Sequence, residues 1–170
     1  YSPIMFIANL PIFNLTEQLF KIIDMRISLV IFLFLSAVIS TLVIKEKIIF
    51  LTLFLFNPVF LPDIYFGAND SILLFFVVAA FVSLYKKKYT LSTVLIALAC
   101  GTKLIVLPVV PLYAIYLYHS KEKEKAINLF RQFAYFLLVS LIIYSPFILW
   151  DFYSIYVDLI SYAFLGGGQN

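Results

Sequence analysis

Long apolar runs, separated by lysine clusters and short polar breaks, set the pattern of this 170-residue chain. Residues 27–44 form a clean apolar run between Arg26 and Lys45, matching the roughly 17–25 residues that a spanning helix needs. Between Lys47 and Lys86 lie two shorter runs, 48–61 and 71–85, split by a polar stretch from Pro62 to Asp70. Between Lys88 and His119 lie two more, 90–100 and 104–118, split by Gly101-Thr102-Lys103. Residues 126–150 form a further long run, with Pro146 placed to kink its end. Residues 151–165 are too polar to span and read as an amphipathic helix lying along a membrane. Trp150, Tyr153, Tyr156 and Tyr162 form an aromatic belt there. At the other terminus, Pro3 and Pro11 interrupt an apolar stretch, which reads as an interfacial, jaw-like element or as one crossing. The pattern predicts an all-α fold, a polytopic transmembrane bundle of about six membrane helices, several of them short. Residues 1–170 form one membrane domain in this reading, with 1–24 and 151–165 as outer interfacial segments.

Charge orients these runs. Nine of the twelve cations fall in three clusters: Lys45 with Lys47, residues 86–88, and residues 121–131. Excess Lys and Arg marks cytoplasmic loops, so all three clusters face inside. The chain must then cross an even number of times between successive clusters, which makes two hairpins back to back. A single helix over 90–118 fits hydropathy almost as well, but it would strand Lys103 in mid-helix. Six of the nine acidic residues fall opposite the clusters: Glu17, Asp24, Asp63, Asp70, Asp151 and Asp158. Helices this short, with Gly and Pro at depth, are tolerated only inside protein or around a watery cavity. The two hairpins share a plan without a common register, so they are not an internal repeat.

Composition narrows the function classes. The chain is 64% hydrophobic, with a mean hydropathy of +1.07, far above the roughly 45–50% apolar share of a soluble domain. The net charge of +3 is split among spanning segments, so it makes no nucleic-acid patch. The single cysteine, Cys100, excludes an intrachain disulfide and reads as a buried, inert thiol. There is no Ser-His-Asp order, Walker loop or Cys/His cluster, and His119 stands beside Lys121 without metal-ligand neighbours. A start at Tyr1 without Met and an end at Gly166-Gly167-Gly168-Gln169-Asn170 read as a piece of a longer multi-pass protein. Its Ile, Phe, Tyr and Lys content suggests an AT-rich genome; the localisation expected is a prokaryotic plasma membrane in preference to the endoplasmic reticulum.

The candidate chemistry sits at the hairpin tips. Asp63, Asp70 and Lys103 are the only charges between Lys47 and Lys121 besides the lysine triplet. A charge at membrane depth costs roughly 2.5–3.5 kcal/mol and marks a functional site by default. Asn69 and Asp70 can cap the helix that starts near Ser71, or they can bind substrate hydroxyls or a divalent cation. Gly67 permits a tight turn close to a ligand. Asn69-Asp70-Ser71 also spells a glycosylation sequon. Lys103 can snorkel to the interface, can face an anionic headgroup with Thr102 beside it, or can pair with Asp70 or Asp63. A helix starting at Leu104 would add its dipole at Lys103. Asn57-Pro58 and Pro62 read as lying in one short helix, with Asn57 bonding a neighbouring helix.

These motifs resemble the GT-C superfamily of polytopic membrane glycosyltransferases, which use polyprenyl- or dolichyl-phosphate sugar donors on the outer face. Tyr1-Ser2-Pro3 with Pro11 is similar to the family's Tyr-Pro-Pro segment. Asn57-Pro58 through Gly67-Ala68-Asn69-Asp70-Ser71 is similar to its Pro…Gly-Gln-x-Asp segment. Leu98-Ala99-Cys100-Gly101-Thr102-Lys103 with Pro108 is similar to its Thr-Lys…Pro helix break. Ser2 stands where the family has proline, and Ala68 where it has glutamine. The resemblance covers about residues 1–118. It implies hexose transfer, mannosyl transfer among the options, with the catalytic carboxylate in a loop upstream of Tyr1 acting as general base. This chain alone would then be inactive. The resemblance further implies that Lys103 steadies the lipid phosphate as it leaves, while Asn69 and Asp70 orient sugar hydroxyls or a divalent cation; Asp63 and Thr102 complete the candidate substrate-binding set. Two other classes compete. A transporter or flippase shares broken helices and charges at depth; a scaffold subunit would leave Asp70 and Lys103 replaceable.

Overall fold

The computed structural model describes residues 3–21, 23–67, 70–119, 125–150 and 153. Among them are eight α-helices and no strand: α1 (Pro3–Phe20), α2 (Met25–Ser40), α3 (Lys47–Leu55), α4 (Phe60–Phe66), α5 (Asp70–Tyr85), α6 (Tyr89–Thr102), α7 (Val109–His119) and α8 (Lys125–Trp150). A 3-10 turn over Leu104–Val106 joins α6 to α7. The interfacial helix expected over 151–165 lies outside the described residues.

Local chemistry sets most of these boundaries. Pro3 opens α1, where its missing N–H would have had no helical partner. The helix then continues through Pro11, so the stretch expected to be interrupted is a single element about 27 Å long at 1.5 Å per residue. Lys21 closes it in the left-handed region (φ 55°), its N–H bonding the Glu17 carbonyl at 3.0 Å. Asp24 caps α2 by accepting from the Arg26 N–H at 2.8 Å. This helix stops at Ser40, short of the apolar run that ends at Ile44. The Ser40 and Thr41 hydroxyls donate to the Ser36 and Val38 carbonyls, competing with the backbone where the last turn unwinds.

The expected helix containing Asn57, Pro58 and Pro62 is in fact broken. The chain bends by 56° between α3 and α4. Pro58 disfavours helical geometry in the residue before it, and Asn57 Oδ1 accepts from the Val59 N–H at 3.0 Å. Asn57 therefore turns the chain and ties no neighbouring helix among the described residues. The α5–α6 turn closes on Lys87 in the left-handed region (φ 57°). The N–H groups of Lys87 and Lys88 bond the carbonyls of Leu84 and Ser83, each at 2.9 Å, which is a Schellman closure with lysine in place of the usual glycine. Inside α8, Pro146 offers no N–H to the Ile142 carbonyl, and the Ser145 hydroxyl donates to that carbonyl at 3.4 Å instead.

Packing gives each helix a direction. Leu29 and Phe32 of α2 pack on Ile72 and Phe75 of α5, so the two helices run parallel. The Ser92 hydroxyl donates to the Ala80 carbonyl at 2.9 Å, placing α6 antiparallel to α5. Small residues of the two helices, Ala80 and Ala99, share one buried cluster, which lets the backbones approach. Thr93 meets Gln132 low on α6 and α8, and Gly101 meets Ile143 near the other end, so α8 parallels α6. Tyr113 reaches back to Tyr89 and Thr93. Residues 89–119 are therefore a hairpin broken at Lys103 rather than one continuous helix.

The result has two unlike ends. Lys45, Lys47, Lys86, Lys87, Lys88 and Lys125 gather at one end, here the lower. Asp24, Arg26, Asp70 and Lys103 gather at the upper end. The N-terminal half of α1 docks near the upper end, with Met5 against Leu29, Phe32 and Ile72 and Asn9 accepting from the Ser28 hydroxyl at 2.5 Å.

The distribution of side chains reverses that of a soluble bundle. Asn9, Ser36, Ser92, Thr93 and Gln132 are buried, whereas Ile48, Phe56, Phe66, Phe130 and Leu149 are more than three-quarters exposed. Small polar residues inside and large apolar ones outside suit lipid, where close backbone contact and interhelical hydrogen bonds hold helices together. Among the described residues one segment, Asn128–Pro146 within α8, is long and apolar enough to cross a membrane by itself. The bent α3–α4 pair makes a second when taken as one span. Met25–Ser40, Asp70–Tyr85, Tyr89–Thr102 and Val109–His119 are shorter apolar helices. The 16 residues of α2 or α5 extend about 24 Å, against about 30 Å of hydrocarbon.

Candidate functional site

At the upper end the two hairpin tips meet. Gly67 turns the first with φ +69° and its N–H on the Ile64 carbonyl at 3.3 Å. Among the described residues no atom beyond its chain neighbours lies within 4 Å of where a Cβ would stand, so the positive φ is what calls for glycine here. Asp70 then opens α5. In the second tip, Lys103 leaves α6 with extended backbone (φ −148°, ψ 132°), its N–H still bonded to the Ala99 carbonyl at 3.2 Å. The Lys103 ammonium donates to Asp70 Oδ1 across 33 residues of sequence. Of the pairings open to Lys103 on sequence grounds, the structure forms the one with Asp70.

The pair is accessible: the Lys103 side chain is 36% and that of Asp70 42% exposed. An ion pair this open is worth roughly 0–1 kcal/mol in water, so it does not hold the bundle together. Firmer contacts lie beneath it. A Cβ on Gly101 would stand 2.8 Å from Ile4 Cγ1 and 3.5 Å from Ile143 Cδ1, so α1 and α8 close directly on the helix end that carries Lys103. Next to Asp70, Ser71 is 1% exposed, and its hydroxyl has no hydrogen-bond partner among the described residues.

Two expectations for the second tip change. Thr102 does not stand beside the Lys103 ammonium as a ligand group. It is buried, and its hydroxyl donates to the Ala99 carbonyl at 2.6 Å, because a threonine in the last turn finds the carbonyls of its own helix within reach first. The segment at Leu104 is a three-residue 3-10 turn, too short to aim a dipole at Lys103. Asp63 lies in α4, but its side chain is outside the described set, as is Asn69. No group of three or more His, Cys, Asp and Glu residues comes together among the described residues. Asp70 faces an ammonium, an arrangement that disfavours a cation at the same carboxylate.

Sequence reasoning missed two features. Arg26 lies over the Tyr65 ring, 5.7 Å from its centroid, tying α4 to the start of α2 by a cation–π contact. Near the lower end, a buried polar knot joins three helices. Thr93 Oγ1 lies 2.9 Å from Tyr113 Oη and donates to Gln132 Oε1 at 2.9 Å, while Tyr113 also reaches the Tyr89 carbonyl at 3.2 Å. Its sequence signal was a glutamine and a threonine inside apolar runs.

A family model of glycosyltransferase family 87 matches residues 1–165. The chain belongs to glycosyltransferase family 87. No curated relative and no solved structure matches it. Family 87 membership covers both hairpins and nearly the whole chain, further than the motif resemblance reached. Together, the family and the apolar helices mark a membrane protein with glycosyl transfer as its family activity.

Proposed function

We propose that this chain is the membrane-embedded, multi-pass part of a glycosyltransferase that moves a hexose, mannose among the candidates, from a polyprenyl- or dolichyl-phosphate donor to an acceptor on the non-cytoplasmic face. A prokaryotic plasma membrane is its proposed home. One observation carries the reading: in a family 87 chain, the accessible Lys103–Asp70 pair sits at the end opposite the lysine clusters. Clustered lysines mark the cytoplasmic side, which puts the pair on the outer face.

Lys103 binds the phosphate of the donor as a point charge and steadies the charge that grows on the leaving phosphate. Asn69, Asp70 and Asp63 orient the sugar. The general base is a carboxylate ahead of the Tyr1-Ser2-Pro3 segment, as the GT-C resemblance implies. The test is donor binding and transfer by the full-length protein carrying Lys103→Ala. The reading expects binding to fall at least tenfold with folding intact; full binding by the variant contradicts it.

A further inference from the structure

The pair at the upper end poses a question that phosphate binding alone leaves open: what the Asp70 carboxylate does when an anion arrives. We infer that Asp70 is a resident counter-anion, which holds Lys103 while the site is empty and is displaced by the phosphate of the ligand. The inference rests on the phosphate role of Lys103 proposed above.

Four observations support exchange rather than a fixed structural bridge. Both side chains are more than a third exposed, so an incoming anion can reach them and water already screens their attraction. The contact is single, one ammonium to Asp70 Oδ1, without the forked geometry that makes an arginine pair slow to rearrange. The backbone beneath is fixed by the Lys103–Ala99 bond and by the contact of Gly101 with Ile4, so the lysine stem can pivot while α6 stays in place. The neighbouring Ser71 hydroxyl is buried without a partner among the described residues. A buried hydroxyl in that state is uncommon, and it stands one residue along α5 from the carboxylate that the anion would displace.

Exchange has a consequence for selectivity. A phosphodiester donor carries one negative charge. The lipid monophosphate left after transfer carries about −1.5 to −2, because its second pKa is near 6. The displaced Asp70 carboxylate stays close by and repels the more highly charged anion more strongly. Asp70 therefore weakens retention of the product more than binding of the donor, and it reclaims Lys103 as the product leaves.

The experiment measures equilibrium binding to the full-length protein in nanodiscs, with a polyprenyl monophosphate, a polyprenyl phosphodiester and inorganic phosphate as probes. Asp70→Asn should tighten the monophosphate roughly two- to fivefold, the range an exposed ion pair commands, and the diester by less. Asp70→Glu should restore wild-type affinity. In a Lys103→Ala background, Asp70→Asn should tighten the monophosphate by less, because there the carboxylate no longer competes for the ammonium and only its repulsion is relieved. Tightening for the lipid probe alone supports a headgroup site that needs the lipid; tightening for inorganic phosphate as well supports a site for phosphate from either source. Weaker or unchanged binding of every probe by Asp70→Asn overturns the inference, as does equal tightening without Lys103. Unchanged monophosphate binding by Lys103→Ala alone overturns instead the reading on which the inference rests.

Discussion

The polar knot near the lower end and the ion pair at the upper end use similar materials to opposite effect. Thr93, Tyr113 and Gln132 are buried, and each hydroxyl and the Gln132 side chain finds a partner on another helix. Asp70 and Lys103 are charged, more than a third exposed and joined by one contact, and the next residue after Asp70, Ser71, has a buried hydroxyl without a partner among the described residues. A satisfied buried network fixes one arrangement of helices. An open pair joined by one contact leaves its charges available to other partners. The lower region holds α6, α7 and α8 together, whereas the upper one leaves its charged pair accessible.

Substitutions can break or sharpen this contrast. The largest expected effect is that of Lys103→Ala on transfer, a fall of about a hundredfold, the scale seen when one donor to developing charge is removed. Its thermal stability should stay within about 0.5 kcal/mol of wild type, as for a surface change. A stability loss comparable to that of the knot variants would erase the distinction. Next comes Thr93→Val, which leaves Gln132 and Tyr113 short of a partner. It should cost about 1–3 kcal/mol, read by thermal unfolding in detergent, with donor affinity of the folded fraction unchanged. Gly101→Ala should cost about 1–3 kcal/mol through overpacking against Ile4 and should also weaken donor binding, because it displaces the helix end beneath Lys103. Normal unfolding temperature and binding would show that α1 yields freely there. The smallest effect belongs to Ser71→Ala: about a twofold to threefold loss of monophosphate affinity, within the net worth of one hydrogen bond, with stability unchanged or slightly raised. If Ser71→Ala instead destabilises the protein without touching affinity, its hydroxyl belongs to the packing.

The sequence showed the ends of this molecule better than its middle. Lysine clusters, the turn at Gly67 and the break at Gly101-Thr102-Lys103 located both tips and placed them at the same end, and Asp70 was already among the partners open to Lys103. Side-chain allegiance was not legible. Whether Thr102 serves a ligand or its own helix depends on which carbonyl lies nearest its hydroxyl, and the Ala99 carbonyl wins. Helices that are apolar on every face carry no stripe to show which side packs, so neither the knot nor the docking of Ile4 on Gly101 could be read in advance. The two prolines misled in opposite directions. Pro11 sits inside a continuous α1, while Pro58 with Asn57 ends a helix that hydropathy had joined.

The central claim is that Lys103 and Asp70 share an outward-facing site opposite the lysine clusters. The most direct measurement places single cysteines at Asn69, Lys103 and Ser120 of the full-length protein, in a Cys100→Ala background, and adds a membrane-impermeant maleimide from outside. The account predicts labelling at positions 69 and 103 and protection at 120. Labelling at 120 with position 103 protected would contradict it.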